Sequence, residues 1–268
     1  MLELAGRLAR AAAEILRDRP ADLQASSKST PTDTVTVMDR RAERVILDGL
    51  AAERPDDAVV TEESANRPGS SAVTWYVDPL DGTVNYLYGI GQYAVSLGAE
   101  IDGEPVVGVV IDVARGEEYT SVRGGGAWCD GRRLTCSAQT DPAFSLVATG
   151  FSYSALRRAA QGRTVARLLP AIRDIRRFGS AALDLCAIAA GRIDAYYEAG
   201  MFPWDWAAGA LIAREAGARV DGLLGKPPGG HTTLAANPVL FSALHDLLVA
   251  ADADAAAPDA PAPVVPGD

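Results

Sequence analysis

Asp78, Pro79, Leu80, Asp81, Gly82 and Thr83 stand consecutively, and their types suggest chemistry more directly than any other stretch of the sequence. A β-branched and aromatic run over 74–77 leads into Asp78. Pro79 fixes its own φ and removes a ladder donor, so a turn is expected after it. Two carboxylates three positions apart in such a turn can point to one side with the Leu80 carbonyl between them. Mg²⁺ suits that array, because it takes few hard oxygen donors and keeps sites for water and phosphate. Gly82 lets a substrate approach the backbone, and the amides of Gly82 and Thr83 could hold phosphate oxygens at a helix start. By itself a D-x-x-D more often satisfies local amides as an Asx-turn. Glu62 and Glu63 end a predicted strand, 58–61, and Asp205 opens a predicted helix within Phe202-Pro203-Trp204-Asp205-Trp206. Alone, Asp205 reads as a helix cap. Lys28 and Asp39, in a polar loop and at a helix start, read alone as a solvated lysine and a capping aspartate.

The rest of the composition narrows what these acids can be doing. The 268 residues carry 25 Lys+Arg against 35 Asp+Glu, a net charge of −10. That balance argues against a nucleic-acid-coating surface, and no nucleic-acid partner is expected. With only His231 and His245 present, schemes needing several imidazoles are nearly excluded, so carboxylates must carry the chemistry. Cys129, Cys136 and Cys186 include no C-x-x-C, which supports neither a zinc knuckle nor a disulfide framework and leaves three reduced thiols. The N-terminal stretch lacks the order of a signal peptide, and no apolar run approaches the roughly 20 residues that span a bilayer. A cytoplasmic protein without a membrane partner is the expectation.

Helical spacing predicts a helix over 2–17, ended before Pro20, and a second over 39–53, with a loop at 26–34. Strands are predicted at 58–61 and 74–77. An antiparallel meander follows from 92 to 136, with hairpin turns at Asp102-Gly103 and Asp130-Gly131. The second half alternates: strand 146–150, helix 155–169, a buried Ala-rich helix 180–190, strand 193–198, helix 204–216, strand 218–220 and a last helix 239–250. The expected organisation is an α+β half over 1–140 with most of the acids, an α/β half over 141–251 with Asp205, and a disordered Ala/Asp/Pro tail over 252–268.

Several segments in this order resemble the inositol monophosphatase family over nearly all of residues 1 to about 250. The signature segments are DPLDGTVNYLYG (78–89) and WDWAAGALIAREAGA (204–218), supported by KSTPTDTVTVMDRRAE (28–43), TEES (61–64) and FGSAALDLCAIAAGRIDAYYE (178–198). The last of these is similar to the bacterial inositol-1-monophosphatase branch, including actinobacterial members. Three departures are visible: Thr61 where Gly is usual, Tyr86 rather than Phe after Asn85, and Gly217-Ala218 where Gly-Gly is common. None falls on a residue matching a family ligand.

The resemblance implies a layered αβαβα sandwich of the Mg-dependent sugar phosphatase type, with the site where the halves meet. It implies two to three Mg²⁺ per site: one on Glu62, Asp78 and the Leu80 carbonyl, a second on Asp78, Asp81 and Asp205, and a weaker third leaning on Glu62. Thr83, paired with Asp39, matches the pair that orients the attacking water, with Glu62 beside it. Gly82 and Thr83 match the phosphate-binding amides. Asp81, the backbone of Gly179, Ser180 and Ala181, Glu198 and Asp205 match groups that hold substrate hydroxyls, and Lys28 lies in the family's mobile loop. The implied activity is hydrolysis of inositol 1-phosphate, or a similar polyol phosphate, by metal-activated water, with lithium sensitivity and a homodimer. Fructose 1,6-bisphosphate, histidinol phosphate and 3′-phosphoadenosine 5′-phosphate are alternative substrates. A regulatory or assembly protein with secondary activity is the alternative of a different kind.

Overall fold

The computed structural model describes residues 1–20, 22–23, 25–27 and 34–256. Helix α1 (Leu2–Arg17) buries Leu4, Leu8, Ala12 and Leu16 along one stripe, as 3.6-residue spacing requires. Two short antiparallel strands, β1 (Ala25–Ser27) and β2 (Thr34–Thr36), take up both ends of the segment 26–34 expected to be a loop, since Ser26, Ser27 and Thr34 are paired. Helix α2 (Val37–Glu53) starts two residues before Asp39, because Thr36 is its cap. The Thr36 hydroxyl accepts the Met38 and Asp39 amides, while the Asp39 carboxylate accepts the Thr36 N–H, a reciprocal capping box.

Strands β3 (Ala58–Thr61), β4 (Val73–Asp81), β5 (Ala94–Ile101), β6 (Glu104–Asp112), β7 (Glu117–Val122), β8 (Ala127–Cys129) and β9 (Arg132–Arg133) form one sheet in that order. Helix α3 (Thr83–Tyr88) leaves the end of β4. Only β3 and β4 run parallel; the rest is the expected antiparallel meander. Both predicted Asp-Gly turns are present. Asp102 and Gly103 have φ of 52° and 79°, and Asp130 and Gly131 48° and 76°, the doubly positive pattern that matches strand twist.

The second half supplies β10 (Leu146–Thr149), α4 (Ala155–Leu168), β11 (Asp174–Arg176), α5 (Ala181–Ala189), β12 (Ala195–Ala199), α6 (Pro203–Glu215), β13 (Arg219–Gly222), β14 (Thr232–Ala236) and α7 (Pro238–Ala250). Its sheet has the order β11-β10-β12-β14-β13, parallel across β11, β10 and β12 and antiparallel about β14. Strands β11 and β14 have no counterpart in the sequence reading.

The layers are helix, sheet, helix, sheet, helix. Helices α1 and α2 cover the outer face of the seven-stranded sheet. Helices α5 and α6 lie between the sheets: Ala182 and Cys186 meet Ala94 and Val110, while Leu185 and Ile188 meet Ala148, Tyr196 and Ala235. A helix wedged between two sheets must be apolar all round, which explains why these two are Ala-rich and carry no polar stripe. The cross-strand pair Gly98 and Gly108 lets α6 touch the sheet backbone, since a Cβ at Gly108 would stand 2.7 Å from the Ala208 carbonyl. Helices α4 and α7 close the far side over Val147, Tyr197 and Leu234.

Order continues beyond Asp252, where the disordered tail was expected to begin. Ala253–Ala256 form a 3-10 turn, Ala253 is buried, and Asp254 accepts from Lys226 Nζ at 3.0 Å. Residues 257–268 lie outside those described. Among the described residues no helix is long and apolar enough to cross a membrane.

Candidate active site at the junction of the two sheets

Glu62 follows the last residue of β3, and the turn that carries it is clamped from α2. Buried Glu43 accepts from the hydroxyl of Thr61, from the amides of Glu63 and Ser64 at 3.1 Å each, and from the Ser64 hydroxyl. Thr61, one of the departures from the family pattern, thus contributes its own hydroxyl to this clamp.

The segment from Asp78 to Asp81 is not the turn the sequence suggested. It continues β4 through a bulge: Asp78 pairs with Ser96 and Asp81 with Ala94, so three steps on β4 face two on β5. Pro79 cannot donate to the ladder, and the extra residue bends the strand out of register. Asp78 Oδ1 accepts the Leu80 amide at 3.0 Å. Asp81 Oδ2 reaches across to the second half, accepting Ser180 Oγ at 2.6 Å and the Ala182 amide at 2.8 Å. Asp205 stands in the first turn of α6 behind Pro203, and its Oδ2 accepts the Phe202 amide at 2.7 Å. It is a helix cap and a cavity residue at once. In Asp78, Asp81 and Asp205 the second carboxylate oxygen accepts no hydrogen bond among the described residues.

Thr83 opens α3 after Gly82, whose φ of +93° is left-handed and whose missing side chain clears the Gln92 carbonyl, 2.8 Å from where a Cβ would sit. The Thr83 hydroxyl lies 3.0 Å from Asp39 Oδ1 and 3.1 Å from the Leu80 carbonyl. Asp39 therefore uses one oxygen to cap α2 and the other to hold Thr83. Asn85 donates to the Phe178 carbonyl at 2.8 Å and fixes the backbone that leads into Gly179, Ser180 and Ala181. Glu198, at the end of β12, takes the Tyr196 hydroxyl on Oε2 at 2.7 Å.

Glu62, Asp78, Leu80, Asp81, Gly82, Thr83, Gly179, Ser180, Ala181, Glu198 and Asp205 all line one cavity of about 530 Å³ between the halves. Burial, with the charges of Glu62, Asp81 and Asp205, holds the Asp78 carboxyl well above the usual carboxylate range. Burial and the charges of Glu62 and Asp81 do the same to Asp205. Asp81 is pushed up to about 7, chiefly by burial, against the pull of its bonds from Ser180 and Ala182. Asp39 and Glu198 are also raised by burial, opposed by their hydroxyl donors. The site is therefore a wall of acids that resist ionising together, which is the electrostatic character of a cation-binding pocket.

Among the described residues no group of three or more Asp, Glu, His or Cys side chains is closed up as a finished metal site. The fit of a cation rests instead on donor chemistry: hard carboxylate oxygens, uncommitted on three of the aspartates, facing one shared cavity. Asp39 stands behind this wall, touching the cavity only through Thr83, and Lys28 lies outside the described residues. Sequence reasoning passed over Glu43, Asn85 and the cavity cations Arg157 and Arg177. Glu43 and Asn85 act on partners distant along the chain, Thr61 and Phe178, and the charge of Arg177 bears on Glu198, so their roles appear only once the chain is folded.

The model of the Inositol monophosphatase family matches residues 1–257. The inositol-1-monophosphatase of Mycobacterium leprae is 50% identical over 203 residues, covering 72% of this chain and 70% of that protein. Escherichia coli Nus factor SuhB is 41% identical over 236 residues, 86% of each chain. The crystal structure of extragenic suppressor protein suhB from Bartonella henselae superposes with a TM-score of 0.85 at 35% identity, covering 92% of this chain and 97% of that one. The acid-lined cavity between two sheets, in a helix–sheet–helix–sheet–helix stack, thus belongs to a member of the inositol monophosphatase family.

Proposed function

We propose that this chain is a Mg²⁺-dependent phosphomonoesterase that hydrolyses inositol 1-phosphate or a similar polyol phosphate. The observation that carries the reading is the gathering of Glu62, Asp78, Asp81 and Asp205 from three separate segments onto one cavity wall, next to Thr83 and Glu198. Two to three Mg²⁺ would be held by Glu62, Asp78, the Leu80 carbonyl, Asp81 and Asp205. When bound, the cations supply an acidified water and neutralise charge on the departing alkoxide, which a phosphate monoester dianion needs because it repels hydroxide.

The chain's own residues do the rest. With its proton directed to Asp39 Oδ1, Thr83 Oγ1 turns a lone pair toward the cavity and can take a proton from the attacking water as its own proton passes to the Asp39 carboxylate. Glu62 holds the same water from the opposite segment. The Gly82 and Thr83 amides receive phosphate oxygens, and the Gly82 conformation keeps that backbone bare. Asp81, Asp205, Glu198 and the backbone from Gly179 to Ala181 hold the alcohol's hydroxyls, which fixes the ester oxygen for in-line departure. Hydrolysis is direct: the Asp78–Thr83 segment carries no Ser or Cys nucleophile for a phosphoenzyme, and the Ser180 hydroxyl on the cavity wall is committed to Asp81. The partner is a small phosphomonoester, lithium inhibits, and the working unit is a homodimer.

Assay of the purified chain on inositol 1-phosphate, fructose 1,6-bisphosphate, histidinol phosphate and 3′-phosphoadenosine 5′-phosphate, with and without Mg²⁺, tests this directly. Mg²⁺-dependent turnover led by inositol 1-phosphate supports the reading; no turnover of any of the four removes it. A second reading, an assembly or regulatory role, draws on the E. coli relative's name, Nus factor SuhB. It takes precedence only if the panel shows no activity.

A further inference from the structure

On the reading above, Glu198 receives substrate hydroxyls, and the structure shows what keeps its carboxylate in place. Tyr196, two residues earlier on the same strand face, donates its hydroxyl to Glu198 Oε2 at 2.7 Å and is fully buried. The same hydroxyl lies 3.2 Å from the Met201 sulfur. Strand β10 runs parallel alongside, with Thr149 opposite Tyr197, so the next residue, Gly150, comes level with Glu198. A methyl group placed on Gly150 would overlap both carboxylate oxygens and Cδ of Glu198.

Gly150 is not among the glycines with left-handed φ, so backbone conformation does not require glycine there. Space does. The overlapped atoms are the far end of one flexible side chain, not backbone. A side chain at position 150 would therefore displace the carboxylate and leave the strand intact.

We infer that Gly150 is a specificity-determining positioning residue: its bare Cα is the seat of the Glu198 carboxylate, and that seat selects phosphate esters of polyols over esters of alcohols without hydroxyls. Tyr196 holds one side of the seat and Gly150 leaves the other side open. The inference rests on the hydroxyl-binding role proposed for Glu198.

The test measures kcat and KM of Gly150→Ala, Glu198→Ala and the double variant on inositol 1-phosphate and on phenyl phosphate, with saturating Mg²⁺. A lost hydrogen bond to a charged group corresponds to about a tenfold or larger fall in the inositol 1-phosphate to phenyl phosphate ratio of kcat/KM. The fall should come mainly through KM for inositol 1-phosphate. The double variant should fall no further than Glu198→Ala, because the methyl then has nothing to displace. A crystal structure of Gly150→Ala should show Glu198 off the Tyr196 hydroxyl. Effects that add in the double variant, equal losses on both substrates, or a Glu198 still seated on Tyr196 would overturn the inference. If Glu198→Ala shifts the ratio while Gly150→Ala does not, the inference falls alone. If Glu198→Ala leaves the ratio unchanged, the hydroxyl-binding role falls and the inference with it.

Discussion

Replacing Asp81 with Asn separates the electrostatic cost of the acid wall from its packing. The Asp81 carboxyl is moved from its ordinary value of 3.8 to about 7 in the folded, metal-free chain. The folded state thus keeps a proton that the unfolded chain has already released. Stability contributed by that proton is present below about 3.8 and is lost as pH rises to about 7, at 1.36 kcal/mol per pH unit, about 4 kcal/mol in all. Asp39, Asp78, Asp205 and Glu198 are raised as well and act in the same direction. Glu117, lowered to about 2 by Arg192, has the opposite sign, but its window ends near 4.5. Asn is isosteric with the protonated acid and keeps an oxygen for Ser180 and Ala182, so at pH 5 in EDTA, just over one unit into the window, Asp81→Asn should be the more stable by only about 2 kcal/mol. At pH 8 the gap should widen to about 4 kcal/mol, the whole of the window. Adding millimolar Mg²⁺ at pH 8 should reverse the order, because only the wild type gains the cation's binding energy. Urea unfolding with matched m-values reads all three conditions. Equal pH slopes in the two proteins would refute the argument that Asp81 is held in an uncompensated acid wall.

Asp205→Asn should keep the fold, since Asn can still accept the Phe202 amide, yet lose most turnover; steady-state kinetics at wild-type level would remove Asp205 from the ligand set. Thr83→Ala should lower kcat by about 10² or more with a smaller change in KM, as expected for loss of a group acting on the reacting proton, read from initial rates on inositol 1-phosphate. Glu43→Ala should destabilise the chain by about 3 kcal/mol or more by orphaning the donors of Thr61, Glu63 and Ser64, and should weaken Mg²⁺ binding in a calorimetric titration through the turn that carries Glu62.

The chemical types at the site were legible in the chain because they are written locally. Asp78 through Thr83 sit in one run, and Asp205 sits at a helix start that its own capping bond explains. The hairpin turns were equally local, since Asp102-Gly103 and Asp130-Gly131 carry their φ preference in two residues. The meander and most helices followed from periodicity, which needs no knowledge of neighbours. Strand β11 was missed because three residues, two of them charged, offer no pattern of two. Strand β14, TTLAA, is buried on both faces and has no alternation to read.

What the amino-acid order determined by itself, then, was the inventory of periodic helices, meander strands and local turns, and which carboxylates could serve a cation. The folded arrangement alone decided that Asp81 would bind Ser180 across the two halves, that Asp39 would serve both a helix cap and Thr83, that Glu43 would clamp the Glu62 turn, and that Gly150 would lie open beneath Glu198. Each of these contacts joins residues far apart along the chain, and their geometry is set by how two sheets close on helices α5 and α6. Local preference acts over a few residues, whereas packing two sheets on one helix layer fixes distances between segments that no local preference can reach.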